Sequence, residues 1–197
     1  YEILRCLVGS EMCIRDRLST VSMVLCGMFA ALVAIGAFIQ IPVPYMDYFT
    51  LQFFFVLLAG LILGADKGAI SVGCYVLLGL VGVPIFAAGG GIGYIFRPSF
   101  GYLVGFIVSA YVTGKVCEKL KASYKNYLLA CLAGFVVTYA IGIVYKFIIL
   151  NFYAHTPATL GVIFLSCFPL DMPGDFVLCL LAAGVGLRMR KSGFYLS

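Results

Sequence analysis

Long apolar segments separated by short polar connections run along most of the chain. The segments expected to form helices cover about Leu18 to Gln40, Thr50 to Leu63, Ala69 to Gly82, Pro98 to Gly114, Tyr127 to Phe152 and Pro173 to Leu187. A helix that crosses a bilayer needs about 20 apolar residues, and fewer when it is tilted or re-entrant. The pattern therefore predicts six transmembrane helices, of which the second and third are short.

The connections between these segments carry turn-forming and polar residues. Ile41-Pro42-Val43-Pro44 ends the first segment, because proline lacks an N–H and holds its predecessor in an extended conformation. Residues 64–68, GADKG, predict a tight polar turn before the third segment. The polar connection from Tyr153 to Leu170 is expected to hold a short surface helix, with His155 as a loop residue.

Composition assigns the chain to a class. Hydrophobic residues make up 63% of the sequence and charged residues 11%, and the mean hydropathy is +1.12. These values exclude a soluble domain and are typical of integral membrane proteins. We expect an all-α integral membrane protein.

The first 17 residues, YEILRCLVGSEMCIRDR, differ from the rest because they mix charges and show no helical periodicity. The run CLVGSEMCIRDR resembles a translated sequencing-adapter fragment that recurs at the ends of assembled metagenomic genes. We therefore expect residues 1–17 to be a non-native leader and residues 18–197 to form a single membrane domain. A native cytoplasmic leader is the alternative.

Basic residues orient the predicted bundle. They cluster between segments four and five, after segment six, and between segments two and three, at Lys115, Lys119, Lys121, Lys125, Arg188, Arg190, Lys191 and Lys67. The positive-inside rule makes all three regions cytoplasmic, and six spans then place both termini in the cytoplasm. This topology explains the net charge of +5, so the charge does not indicate a nucleic-acid partner, and none is expected.

Polar residues also occur at the opposite, outer ends of the predicted spans: Gln52, Arg97, Lys146, Asp171 and Asp175. They predict an outward-facing pocket in which Arg97 binds a carboxylate, Asp175 accepts hydrogen bonds from ligand N–H groups, and Lys146 supplies a counter-charge. Arg97 follows a glycine-rich stretch where an apolar segment begins. A buried arginine there would cost about 2.5 to 3.5 kcal/mol, so a ligand or partner is expected.

Phe86, Tyr94 and Tyr139 are expected to form apolar walls of this pocket. Each assignment has a structural alternative. The aromatic rings are typical of packing or of an interfacial belt, and Arg97 can extend to lipid headgroups. Lys146 and Asp175 can form a buried ion pair, and Gln52 can join helices by a hydrogen bond.

Three separated motifs resemble one family. They are IPVP followed by FTLQFFFVLLAGLILG, then GLVGVPIFAAGGGIGYIFRPSFGYLVGF, then FPLDMPGDFVLC. In this order they resemble the BioY family, the biotin-binding S components of energy-coupling factor transporters, and the resemblance covers about Leu18 to Lys191. It implies a six-helix S component in a prokaryotic plasma membrane that holds biotin near the outer face, capped by the loops after the first and third helices.

The resemblance also implies roles and partners. Asp175 in its PGD motif would hold the ureido ring, and Arg97 would bind the valerate carboxylate. Many relatives have PTGGY where this chain has Pro98-Ser99-Phe100-Gly101-Tyr102, so Phe100 is expected to alter the pocket wall. The partners would be a transmembrane T subunit and two cytoplasmic ATPases, with biotin as the transported ligand.

The first helix carries Ala30 and Ala34, a small-xxx-small pair that lets another helix approach closely. S components resemble one another in docking on the T subunit through such a motif, which makes this pair the expected partner contact. Gly27 and Ala31 form a competing face one position away.

Enzyme functions find little support in the sequence. The run from Gly89 to Gly93 lacks a following lysine, so ATP binding by this chain is not expected. One histidine and eight scattered cysteines show no metal-ligand spacing. The alternatives to a biotin carrier are an S component for another vitamin and an accessory membrane protein without a ligand.

Overall fold

The computed structural model describes residues 20–41, 49–153, 159, 161, 163, 164 and 171–192. In chain order the elements are α1 (Thr20–Phe38), β1 (Gln40–Ile41), β2 (Phe49–Thr50), α2 (Gln52–Leu63), α3 (Ala65–Val81), a 3-10 helix (Ile92–Phe96), α4 (Phe100–Lys119), α5 (Tyr124–Ile148), a π-helical turn (Ile149–Tyr153) and α6 (Asp171–Lys191). The predicted leader 1–17, residues 42–48 of the first loop, and His155 lie outside the described residues.

The helices have the lengths of a membrane bundle. Within the described residues, α1, α4, α6 and α5 with its π-helical turn are long and apolar enough to cross a membrane. Helix α2 has 12 residues and α3 has 17, as expected for the short second and third segments. Apolar side chains such as Val24, Leu77 and Val136 point outward and are exposed, which is the arrangement of a surface that faces lipid. The prediction of an all-helical membrane bundle is confirmed.

Three predicted boundaries, in α3, α4 and α6, are wrong by four or five residues, and α6 ends at Lys191 rather than at Leu187. Most of the expected polar turn belongs to α3, which begins at Ala65 because Gly64 alone breaks the chain direction with a φ of 82°. The N–H of the buried Ala65 donates to Glu118 Oε1 of α4 at 2.9 Å, which satisfies a helix-end donor that has no partner within its own helix. Helix α4 continues to Lys119 rather than ending at Gly114, since its last turns are stabilised by a Lys115–Glu118 ion pair of 3.6 Å.

Small residues let the helix backbones approach closely. A Cβ placed on Gly60 of α2 would lie 2.6 Å from the Ala110 carbonyl oxygen of α4, and one placed on Gly105 of α4 would lie 3.1 Å from the Thr138 carbonyl oxygen of α5. In the absence of a strong hydrophobic force between helices in lipid, such close backbone contact is a main source of helix association. The glycines therefore set the distances between α2, α4 and α5.

Replacing Gly60 by alanine is expected to destabilise the bundle by about 1 to 3 kcal/mol, because the new methyl group meets a helix carbonyl that cannot move aside. Gly73→Ala is the matched control, since nothing lies within 4 Å of a Cβ at that position of α3. Thermal unfolding in detergent should show a lower Tm for Gly60→Ala only. Equal Tm values for the two variants would contradict a close contact at Gly60.

The directions in which the helices run define two ends of the bundle. Helices α2, α4 and α6 begin, and α5 ends, at one end, which we call the pocket end. The other end, called the basic end, carries Lys67, Lys115, Lys119, Lys121, Lys125, Arg188, Arg190 and Lys191. Among the described residues, Arg97 and Lys146 are the basic side chains at the pocket end. The fold thus segregates charge along its long axis.

Candidate functional site

A cavity opens between the helices at the pocket end. It is bounded by β2, the loop before α4, and the ends of α2, α4, α5 and α6, and its lining residues are Phe49, Thr50, Gln52, Phe53, Ala87, Ala88, Tyr94, Arg97, Ser99, Tyr102, Leu103, Phe106, Tyr139, Lys146, Asp171 and Asp175. Nine of these sixteen residues are aromatic or aliphatic, and the other seven bring polar or charged groups to the cavity. This is the usual chemistry of a small-molecule site.

Asp175 and Tyr139 form the polar centre of the cavity. The Tyr139 hydroxyl of α5 donates to Asp175 Oδ2 of α6 at 2.8 Å. Tyr139 is buried and Asp175 is half-buried. One carboxylate oxygen is thus occupied and oriented, which leaves Oδ1 and the remaining lone pairs of Asp175 as acceptors for ligand N–H groups.

The helix spacing sets the depth of the charged groups. Asp171 lies one turn before Asp175, so it is about 6 Å nearer the pocket end of α6. Lys146 lies about two turns after Tyr139, which places it about 10 Å nearer that end of α5. Among the described residues, no ion pair within 4 Å joins Lys146 to Asp175. The alternative of a Lys146–Asp175 pair is therefore not supported.

Arg97 lies at the mouth of the cavity, in extended backbone after the 3-10 helix. Its side chain is exposed, with Cζ 5.5 Å from the centre of the Tyr94 ring. The cost of burying an arginine therefore does not apply here, because the residue lies in the loop before α4 rather than inside a span. The stack on Tyr94 holds the guanidinium beside the opening, where it can bind a carboxylate through two parallel hydrogen bonds.

Gln52 is the first residue of α2 and is only 3% exposed. Its Nε2 lies beside the Tyr75 hydroxyl but meets no acceptor at hydrogen-bonding geometry within the described residues. That hydroxyl instead donates to the Ile85 carbonyl at 3.1 Å. A buried donor without a partner costs about 1 to 3 kcal/mol. Because Gln52 lines the cavity, a ligand carbonyl is a suitable acceptor for it.

Phe86 does not line the cavity, although the sequence analysis placed it in the wall. It is 1% exposed and packs behind the site, with its ring centre 4.6 Å from that of Tyr94 and 5.5 Å from that of Tyr75. A side chain on Gly79 would clash with this ring, so glycine is required there. The role of Phe86 is to support Tyr94, which does face the cavity.

The structure thus brings six of the seven predicted pocket residues to one cavity: Arg97, Asp175, Lys146, Gln52, Tyr94 and Tyr139. The hydrogen bond that gives Tyr139 a polar role was not foreseen. Asp171, Ser99 and Tyr102 line the cavity without a role having been predicted for them. Tyr102 ends the run Pro98-Ser99-Phe100-Gly101-Tyr102, which differs from PTGGY of many relatives, so this run was the available signal. Gly142 of α5 leaves space for its ring.

The predicted partner contact on α1 lies away from this cavity. Ala30 is buried in the hydrophobic core and Ala34 is half-buried against it. Gly27 and Ala31 are exposed, and nothing lies within 4 Å of a Cβ at Gly27. The Ala30–Ala34 contact stays a prediction, and the competing Gly27–Ala31 face is the more accessible one.

Known proteins resemble this chain over most of its length. Residues 12–193 match the model of the BioY family. A probable biotin transporter BioY from Lysinibacillus sphaericus is 40% identical over 174 residues, which cover 88% of each chain. The biotin transporter BioY from Thermotoga maritima is 39% identical, with 84% of this chain and 93% of the relative covered.

The fold is similar to a solved structure as well. A crystal structure of the S-component for biotin from an ECF-type ABC transporter superimposes with a TM-score of 0.77 and 26% identity, and the match covers 87% of this chain and 92% of that one. The sequence match and the fold match agree. This chain belongs to the BioY family.

Proposed function

We propose that this chain binds biotin in the cavity and is the substrate-binding S component of an energy-coupling factor transporter. The observation that carries the proposal is the arrangement of Asp175, held by Tyr139, in a cavity that has aromatic walls and Arg97 at its mouth. Biotin has matching parts: a ureido ring with two N–H donors, an apolar bicycle and chain, and a terminal carboxylate. Relatives at 40% and 39% identity named as biotin transporters support the same ligand.

Different side chains of the cavity would bind different parts of biotin. Asp175 accepts from the ureido N–H groups, and Nε2 of Gln52, which has no acceptor among the described residues, donates to the ureido oxygen. Phe53 and Phe106 pack against the bicycle. Arg97 binds the carboxylate at the mouth, where Lys146 adds a second positive charge. The contact to Gln52 would satisfy a buried donor that has no acceptor among the described residues, so tight binding is expected.

The pocket end would face outward in the plasma membrane of a prokaryote. The eight basic residues gathered at the opposite end then lie in the cytoplasm, together with both termini, in agreement with the positive-inside rule. The chain would deliver biotin inward in a complex with a T subunit and two ATPases. It would catalyse no covalent change, and hydrolysis of ATP by the partners would supply the energy.

Isothermal titration of biotin into the detergent-purified chain tests the proposal, with thiamine and riboflavin as comparison ligands and a sample that lacks residues 1–17 beside the full chain. Saturable heat with biotin alone supports a biotin site. Heat with another vitamin would reassign the ligand. A folded sample that binds none of them would favour an accessory protein whose cavity charges only stabilise the bundle.

A further inference from the structure

We propose that Gln40 is a positioning residue that joins the two segments covering the cavity, so that they open and close together. One segment is the β1·β2 ribbon, which carries the lining residues Phe49 and Thr50. The other is the turn from Phe86 to Gly89, which carries the lining residues Ala87 and Ala88. The effect on biotin release rests on the proposed function, whereas the coupling itself does not.

Three elements meet at the Gln40 side chain. Its backbone belongs to β1 and lies opposite Thr50 of β2. Its Nε2 donates to the Ala87 carbonyl at 2.7 Å and to the Ala37 carbonyl of α1 at 3.1 Å. Both N–H groups of the amide are therefore used, one on the turn and one on the end of a long helix. The geometry fixes the ribbon and the turn to a common anchor.

Other anchors of the turn do not reach the ribbon. The Phe86–Gly89 turn closes on itself through backbone bonds of 2.9 and 3.1 Å. The next residues are tied to α3 through Gly91 and Gly79, at 2.7 Å, and to α5 through the Tyr145 hydroxyl and the Ile95 carbonyl. Of the hydrogen bonds between described residues, the Gln40–Ala87 bond is the one that links ribbon to turn.

Loss of this bond frees each segment separately. With Gln40 intact, displacing the turn breaks a short amide–carbonyl bond and leaves Nε2 without one acceptor in a half-buried position. Without the amide, the ribbon and the turn can move independently, and each exposes a different side of the cavity. A bound ligand would then escape through an opening of either segment, so its dissociation rate rises more than its association rate.

The test compares Gln40→Met, which keeps length but removes the donor, with Gln40→Lys, which restores a donor. Asn126→Ala is the matched control, since it removes an amide-to-carbonyl bond of 2.8 Å at the basic end. Hydrogen exchange without ligand is the first readout. The turn amides of Phe86 and Gly89 and the ribbon-linked amide of Leu51 should exchange about three- to tenfold faster together in Gln40→Met, and Gln40→Lys should recover much of the protection.

The second readout is biotin release from the same proteins. Gln40→Met should release biotin about three- to tenfold faster, while Asn126→Ala matches the wild type. Faster exchange in one segment only, or in neither, would overturn the coupling whether or not biotin binds. A wild-type protein that binds no biotin would refute the proposed function, and hydrogen exchange would still decide the role of Gln40.

Discussion

Replacing Asp175 by alanine is expected to weaken biotin binding by about 100-fold or more, the largest loss for any single substitution in the cavity. The variant removes the acceptor for the two ureido N–H groups, and each buried donor left without a partner costs about 1 to 3 kcal/mol. It also leaves the Tyr139 hydroxyl without the partner that it now holds at 2.8 Å. Titration calorimetry with the purified variant measures the loss directly.

Two further variants separate recognition from general damage to the fold. Tyr139→Phe removes the hydroxyl but keeps the Asp175 carboxyl group, so a loss of only about fivefold is expected, which is the net value of one hydrogen bond. Asp66→Ala removes an exposed carboxylate at the basic end and should bind like the wild type. If Asp175→Ala keeps its Tm and binds biotin as tightly as Asp66→Ala, Asp175 does not touch the ligand.

Replacing Arg97 by alanine is expected to weaken biotin binding by about 30-fold, because a carboxylate at the mouth loses its bidentate partner. Lys146 lines the same cavity and retains part of the attraction, so the loss is smaller than at Asp175. Biotinamide, which has no carboxylate, should bind the wild type and Arg97→Ala with nearly equal affinity. The Kd values of the four combinations, measured by titration, isolate the Arg97–carboxylate interaction.

The control for Arg97 is Arg188→Ala, which removes an exposed arginine at the basic end. It should leave both affinities unchanged. Arg97→Lys should recover part of the loss, since a single ammonium cannot reproduce the planar fork of a guanidinium. An equal loss for biotin and biotinamide in Arg97→Ala would show that the residue supports the loop rather than the carboxylate.

Local sequence predicted the helices well but missed some of their ends. The apolar runs were long enough to be recognised by composition alone. The start of α3 at Ala65 depends on Glu118 of another helix, which lies 53 positions later. Similarly, α4 passes its expected end, and Glu118 in its last turns accepts the Ala65 N–H of α3. Such boundaries depend on partners that no local window contains.

The sequence predicted only part of the site, again because some of its contacts join residues from different elements. Residue type and position near the pocket end pointed to Arg97, Lys146 and Asp175, since charges are costly in apolar segments and rarely occur there without a function. Residue type and position did not predict which aromatic rings face the cavity. Phe86 and Tyr94 are separated by only eight positions and pack against each other with their ring planes tilted by 52°, yet Tyr94 faces the cavity and Phe86 packs behind it.

What the sequence determined by itself is the class, the helices, the segregation of basic residues and the family, because hydrophobicity, charge and motif order are properties of the chain alone. What only the tertiary structure decided is which groups meet: Tyr139 with Asp175, Gln40 with Ala87, and Gly60 with Ala110. These contacts depend on the angles and distances between packed helices and loops. That packing determines which groups come within a few Å of each other, and the local sequence pattern does not predict it.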